Sequence, residues 1–387
     1  MTARWKNLAR ALATGIKLEH ELDAEWRRAL AETPRHVFVP RFIDTTNGGL
    51  VIDGDDPAQR EHWLEQVYAD TNLITQARAA GLDGAGAQRA TSSSSMPSIM
   101  AWMLQALDVS DGHRVLEIGT GTGYNAALLA HRLGDTNVAS VDIDPELVSA
   151  AREHLHTVGY APTLAAGDGA DGFPDKAPYD AILATAAVDH IPPAWIEQLR
   201  PGGVVVADLR GGFSGAMITL RKIDDDTVQG RCHTLDAAFM PLRQDLRYPL
   251  RYGPAAPLIM DRRNPQRGTT STDVRLVAEV PALRFTAELQ LGVTRSDVFV
   301  SGGEVVVATA DGSWAAANLT AEQDGRHTVA QGGPRRLWDS VEAAVTTWHD
   351  AGRPTVDAFG VTASTEKGAQ RVWLHDPDSA LSWPLPG

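Results

Sequence analysis

A short apolar run ending in three alternating glycines, Val115-Leu116-Glu117-Ile118-Gly119-Thr120-Gly121-Thr122-Gly123, constrains this chain more than any other stretch. The run suits a buried strand and Tyr124 to Leu133 has helical spacing, so the stretch predicts strand, tight turn and helix. That is the opening unit of a nucleotide-binding α/β sheet. Glycines permit the sharp turn and close approach of a ligand, while the first N–H groups of the helix face that ligand. The alternation continues, with strands expected at 138–141, 164–166, 179–185 and 204–209 and helices opening at Pro145 and Pro193. An antiparallel pair is expected at 216–222 and 227–233. The pattern predicts a Rossmann-like α/β fold with a mostly parallel sheet covered on both faces.

Glu117 refines the ligand. A carboxylate two residues before the first glycine repels a dinucleotide pyrophosphate but suits a ligand with a cationic amino group, and S-adenosylmethionine is such a ligand. Gly119, Thr120, Gly121 and Gly123 form the expected cradle. Asp142 lies 23 residues after Gly119, where an acid meets ribose hydroxyls in such folds, and Ile143 follows it. Asp168 and Gly169 end the third strand. The aspartate is placed to accept from an adenine amino group, although Gly167-Asp168-Gly169 is also turn chemistry.

Composition narrows the partners. Acidic residues outnumber basic ones, 49 to 35, for a net charge of −14 and no long Lys/Arg run, which disfavours nucleic acid. The one cysteine, Cys232, excludes a disulfide framework and a Cys-rich metal site, so no metal is expected and a reducing cytoplasm fits. No apolar run reaches membrane-spanning length. At 387 residues, two domains are the natural expectation.

Upstream, residues 1–33 read as helical, and Pro34 and Pro40 bracket a segment expected to be extended. Gly81 to Arg89 reads as a flexible loop leading into Thr91-Ser92-Ser93-Ser94-Ser95-Met96-Pro97. An amphipathic helix follows from Pro97, with Ser95 placed to cap it. Downstream of about 243 the pattern changes. A hairpin is expected over 305–317 and a helix over 334–350, and the Trp residues read as core.

Several segments together resemble one family. Pro34-Arg35-His36-Val37-Phe38-Val39-Pro40, Tyr68-Ala69-Asp70, Val115 to Gly123, Gly167-Asp168-Gly169, Ala177-Pro178-Tyr179-Asp180-Ala181-Ile182, Gln198-Leu199-Arg200-Pro201-Gly202-Gly203 and Met240-Pro241-Leu242 look like protein-L-isoaspartate O-methyltransferases in order and spacing, across roughly 20–243. The resemblance implies a class I methyltransferase fold, S-adenosylmethionine as donor and a peptide or protein carboxylate (Asp or isoAsp) as acceptor. The resulting methyl ester then closes to a succinimide. It carries the active-site serine onto Ser95, with Ser93 beside it, and counts Met96 and Ser98 with the cofactor set.

Two departures matter. The family's Thr-Ile-Ser-Gln-Pro stands here as Ser93-Ser94-Ser95-Met96-Pro97, losing the glutamine, and residues 244–387 are added. Both resemble a subgroup that esterifies an ordinary aspartate in ribosomal peptides (graspetides and lanthipeptides), which is placed ahead of general isoaspartyl repair. A non-catalytic peptide-binding fold is the weaker alternative, because Glu117, Asp142 and Asp168 are all kept. Thr185-Ala186-Ala187 stands where nitrogen methyltransferases often carry Asp/Asn-Pro-Pro-aromatic, which argues against base methylation. The expected organisation is an N-terminal helical and loop region (1–90), a methyltransferase core (91–243) and a smaller C-terminal α+β domain (244–387). Truncation after Arg243 is expected to leave a cofactor-binding core, since the motifs lie upstream.

Overall fold

The central strands are buried throughout, and their successive residues face opposite sides, giving the sheet two apolar faces that different regions of the chain cover. Leu116, Ile118, Ile182, Ala184, Val205, Ala207, Ile218 and Leu220 pack into one core cluster, while Val115, Ala181, Leu183, Val204, Val206 and Met217 pack into another. This is the two-residue period of a strand buried on both sides. The computed structural model describes residues 2–79, 88–212, 214–235, 237–244, 265–292, 296–309, 311–366 and 368–385.

The central sheet has ten strands. Its parallel half runs Thr163–Ala166, Val138–Asp142, Val115–Ile118, Tyr179–Val188, Leu199–Arg210 in spatial order. Helices Tyr124–Leu133 and Pro145–Thr157 make the first crossovers. The antiparallel half continues with Gly215–Lys222 and Thr227–His233, then Phe359–Ser364, Arg371–Leu374 and Ser382–Pro384. Antiparallel strands thus make up a larger share of the sheet than the two expected from the sequence. The extra three come from the far end of the chain, whose return to the sheet no local pattern announces.

The other elements flank this sheet. Helices Thr2–Gly15 and Ala24–Glu32 replace the single expected helix, because Gly15 ends the first and Asp23 caps the second by accepting from Glu25 N. The segment expected to be extended between Pro34 and Pro40 contains a one-turn helix, Arg35–Phe38. Strands Leu50–Asp53, Arg41–Asp44, Leu73–Ala79 and Gln88–Ser94 form a second sheet in that order. The serine stretch is therefore a strand rather than a linker. Most of the loop expected at 81–89 lies outside the described residues.

Residues 266–350 contribute a five-stranded antiparallel sheet, ordered Gln266–Thr270, His327–Gly332, Trp314–Asn318, Glu304–Thr309, Ser296–Ser301, with helices Val274–Glu279, Pro281–Leu291 and Leu337–Asp350. The expected hairpin forms, pairing Val305 with Ala317. Trp314, Trp338 and Trp373 are buried, as core readings require. Among the described residues no helix is long and apolar enough to cross a membrane.

The C-terminal region does not stand apart from the core. Val305, Val307, Leu337, Trp348, Phe359, Val361 and Val372 share one cluster with Leu116, Ile182 and Val205 of the parallel strands. Phe359–Ser364 pairs with Thr227–His233 over five residue pairs. Cutting after Arg243 would strip three strands from the central sheet, together with the whole five-stranded sheet, and uncover the apolar face around Ile218, Leu220 and Val228. We therefore expect, against the sequence-based expectation, that a 1–243 fragment does not fold to a soluble monomer. Size exclusion and thermal melting check this; a monomeric fragment with a cooperative melt and undiminished S-adenosylhomocysteine affinity would refute it.

Candidate active site

The glycine loop crosses from its own strand to the neighbouring one. Gly119, Gly121 and Gly123 all have left-handed φ, 98°, 52° and 86°. A Cβ at Gly119 would meet Thr185 Oγ1 at 2.7 Å, so both conformation and space demand glycine there. Gly119 N and Thr120 N donate to Val141 O at 2.8 and 3.3 Å. Thr185 Oγ1 donates to Gly119 O at 2.8 Å from the other side.

Beneath the loop lies a closed polar network. Glu117 is fully buried and accepts from Asn125 Nδ2 at 2.7 Å and from Ser140 Oγ at 2.6 Å. The Ser140 hydroxyl in turn pairs with Thr120 Oγ1 at 2.6 Å. Burial pushes the Glu117 carboxyl up to about 7, opposed by those hydrogen bonds and aided by the nearby Asp142 charge. Asp142, at the end of the next strand, accepts from Gly121 N at 2.8 Å and from Asp144 N at 3.0 Å. Burial also raises its pKa, against these bonds and the Arg243 charge.

The carboxyl ends of the parallel strands open on a cavity of about 420 Å³. It sits where strand order reverses around Val115–Ile118, the usual ligand crevice of such sheets. Of the residues expected from sequence, Ser93, Ser95, Met96, Gly119, Gly121, Asp142, Ile143 and Gly169 line it. Glu117, Thr120, Gly123, Asp168 and Ser98 do not. Glu117 and Thr120 face down into the network and hold the loop from beneath. Asp168 accepts from Ala170 N at 2.9 Å, the turn role that Gly-Asp-Gly chemistry allows. Gly123 is the left-handed N-cap of helix Tyr124–Leu133.

The opposite wall is the serine strand. Ser92 and Ser94 are buried, with Ser92 Oγ accepting from Thr75 Oγ1 and Ser94 Oγ accepting from Arg35. The Ser93 and Ser95 hydroxyls make no hydrogen bond among the described residues, so both can donate into the cavity. Ser95 is not the cap of helix Pro97–Ala106, contrary to expectation: Met96 holds the N-cap position without a side-chain bond. The cap comes from Asp70, whose Oδ1 accepts from Ser98 N at 2.9 Å. The Ser98 N–H thus takes part in helix capping.

Sequence reasoning quoted the motifs containing Arg35 and Asp70 without assigning them roles. Arg35 is fully buried and donates to the carbonyls of Val67, Ala69, Thr71 and Ser95 at 2.8, 3.2, 3.2 and 3.0 Å. It ties Tyr68-Ala69-Asp70 to the serine strand. A third wall, Ala237 to Arg243, docks on the end of Tyr179–Val188 through Ala187 N to Met240 O (2.9 Å) and Leu242 N to Ala187 O (2.8 Å). The motif Met240-Pro241-Leu242 is thus a strap, and Gly169 is required beneath it, since a Cβ there would meet Leu242 Cδ1 at 2.9 Å.

The residues present fit S-adenosylmethionine. Asp142 offers remaining lone pairs to a ribose diol, and Val141, Ile143 and Leu147 give an apolar wall for a purine. Gly121 keeps the gap to the serine strand open, where a Cβ would stand 3.7 Å from Ser92 Oγ and 3.8 Å from Ser93 O.

A profile of the protein-L-isoaspartate(D-aspartate) O-methyltransferase (PCMT) family matches residues 51–246, just over half of the chain. The chain belongs to this family. Among curated relatives it is 41% identical over 152 residues to the Thermococcus onnurineus protein-L-isoaspartate O-methyltransferase, covering 38% of this chain and 68% of that one. It is 32% identical over 234 residues to protein-L-isoaspartate O-methyltransferase 2 of Archaeoglobus fulgidus, covering 60% and 91%. A solved protein-L-isoaspartate O-methyltransferase covers 97% of this chain and 100% of its own at a TM-score of 0.54 and 20% identity. The shared fold therefore extends through the C-terminal region. Like its family, the chain is an S-adenosylmethionine-dependent carboxyl O-methyltransferase of the class I fold.

One pH dependence follows from Glu117. Its folded-state pKa, about 7, exceeds the ordinary 4.5, so the folded state keeps a proton that the unfolded chain releases above 4.5. The stability it contributes is full below pH 4.5 and is lost as pH rises through 7, amounting to about 3 kcal/mol. Glu117→Gln, which can keep both partners if Ser140 Oγ accepts, should remove that slope. Denaturant unfolding at pH 5 and pH 8 checks it: the variant gains on wild type at the higher pH, and equal slopes in the two proteins would contradict the assignment.

Proposed function

We propose that this PCMT-family enzyme esterifies the side-chain carboxylate of an aspartate in a conformationally constrained ribosomal peptide, giving an ester that closes to an aspartimide. The observation that supports this choice of acceptor is Met96 in the cavity wall. A glutamine amide, which the family resemblance puts at that place, can pair with the backbone of a flexible peptide. A thioether offers apolar, adaptable contact and no strong hydrogen bond, which suits an acceptor whose shape is already fixed. General isoaspartyl repair is the second reading. The names of the relatives favour it, and so does the solved methyltransferase whose fold also spans the C-terminal region.

The mechanism asks little proton chemistry of the chain. A carboxylic acid of ordinary pKa near ~4 is already ionised at neutral pH, so no general base is needed. S-adenosylmethionine supplies the electrophilic methyl group. The protein aligns the acceptor oxygen and excludes water. Ser95 and Ser93 donate to the acceptor carboxylate from one face of the serine strand, where they lie two residues apart. Asp142 and the glycine loop hold the nucleoside, and the 237–243 strap closes the side.

The acceptor is tested with two peptides, one linear and isoaspartyl, one cyclic with an ordinary aspartate. On the cyclic peptide mass spectrometry should show the gain of one methyl and then loss of methanol, with little turnover of the linear one. Preferential turnover of the linear isoaspartyl peptide would establish the repair reading instead.

Ser95→Ala should slow methyl transfer roughly ten- to hundredfold, the worth of one hydrogen bond to a charged group, while S-adenosylhomocysteine affinity stays unchanged. Because Asp70 rather than Ser95 caps the following helix, the melting temperature should hardly move. A stable variant with normal turnover would remove Ser95 from the acceptor site.

A further inference from the structure

Esterification consumes an anion, and the protein carries a net charge of −14. Bringing a carboxylate into a partly buried cavity of such a protein is favoured by local positive charge beyond that of the donor's sulfonium, which is gone once the methyl has been transferred. The helix behind the serine strand does not supply it freely, because the Asp70 carboxylate already sits on its N-terminus at Ser98 N. Arg35 lies behind Ser94 and Ser95, but it is fully buried and donates to backbone carbonyls and Ser94 Oγ.

Among the described residues lining the cavity, one basic side chain remains, Arg243, at the end of the strap. Its single hydrogen bond there is from Nη2 to Thr91 O, at 3.2 Å, which uses one of five N–H donors. Thr91 lies two residues before Ser93 on the same strand, about 7 Å along it, within the span of an arginine fork and a carboxylate. Arg243 also stands close enough to Asp142, the one acidic side chain lining the cavity, to act on it electrostatically. The half-buried cation therefore borders the cavity.

We propose that Arg243 binds the carboxylate of the acceptor and brings it to the Ser93 and Ser95 hydroxyls. The ion pair belongs to the bound acceptor and not to its product, because the methyl ester is neutral. Arg243 thus favours entry of substrate and leaves the ester free to depart. An interaction strongest in the ground state should act on KM more than on kcat. The inference rests on carboxyl methylation, which both acceptor readings share, and not on peptide tailoring.

The test uses Arg243→Gln and Arg243→Lys in the full chain, with whichever of the two peptides wild type esterifies. Calorimetric binding of both peptides to the S-adenosylhomocysteine complex is measured in parallel, so that an acceptor misassigned above still leaves Arg243 readable. Arg243→Gln should raise acceptor KM, or peptide Kd, roughly ten- to hundredfold with kcat nearly unchanged, and Arg243→Lys should recover part of the loss. Affinities for S-adenosylhomocysteine and for methylthioadenosine, which lacks the amino-acid moiety, should both stay the same. An unchanged acceptor KM overturns the proposal. Weaker S-adenosylhomocysteine binding with normal methylthioadenosine binding also overturns it, by giving Arg243 the donor's own carboxylate. A lower melting temperature with both nucleosides weakened would leave Arg243 as a tie between strap and strand.

Discussion

A guanidinium with no carboxylate hydrogen-bonded to it among the described residues holds the serine-strand wall of the cavity together. Arg35 is buried completely, and burial pulls its pKa below the ordinary value. Its compensation is a ring of carbonyls from Val67, Ala69, Thr71, Ser94 and Ser95, together with the Ser94 hydroxyl. Hydrogen bonds to a charged group contribute about 1.5–3 kcal/mol each, so a set of this size can offset the desolvation that burial costs. The carbonyls depend on the charge as much as it depends on them. The geometry also propagates: fixing Ala69 and Thr71 places Asp70 at Ser98 N, and fixing Ser94 and Ser95 sets the strand from which Ser93 and Ser95 reach the cavity. The Arg35 fork further lies 5.8 Å from the Tyr124 ring, at the start of the helix after the glycine loop. Acceptor wall and cofactor loop are thereby referred to the same side chain.

The cofactor side follows the same rule with opposite charge. Glu117 orders the floor on which the loop lies, through Ser140 to Thr120 and directly to Asn125. Asp142 then fixes the loop from its edge by taking Gly121 N, and still presents its carboxylate to the cavity. Asp144 extends this ordering outward. Its buried carboxylate caps helix Pro145–Thr157 at Glu146 N and accepts from Gln76 and Arg78 of the second sheet at 3.2 and 2.8 Å. A short acidic run after one strand thus joins loop, helix and the serine-strand hairpin.

What could be read from the sequence was what is local. The Val115–Gly123 stretch, the βα alternation after it, the 305–317 hairpin and the helix ending at Asp350 all follow from periodicity and turn residues within a few positions. Asp142 was legible for the same reason, since strand end and glycine loop fix its place. Failures came where a distant residue overrode a local rule. Ser95 looked like a cap because it precedes Pro97, but Asp70, 28 residues upstream of Ser98, holds that N–H. Glu117 reads as a ligand contact because it precedes the loop, and what no local rule announces is its pairing with Ser140, 23 residues downstream. That the four serines form a strand was not legible, because four in a row lack apolar alternation and their pairing is with Leu73–Ala79.

The C-terminal region shows the same dependence on distant partners, and its contacts explain why an added segment can matter to a site it does not line. Gln370 is buried and brackets Ile191, donating to its carbonyl at 2.7 Å and accepting its N–H at 2.9 Å. Ile191 belongs to the loop that follows Tyr179–Val188, the strand on which the strap docks through Ala187. Glu288 accepts from Gly212 N and Ser214 N at 2.6 and 3.0 Å, fixing the turn between Leu199–Arg210 and Gly215–Lys222. Strap position depends on the end of Tyr179–Val188, and that end is braced by Gln370 through Ile191. A bidentate amide clamp on main chain resists displacement in two directions, which a single apolar contact does not. The appended residues therefore brace from behind the strand that carries the strap, and among the described residues they do so without lining the cavity.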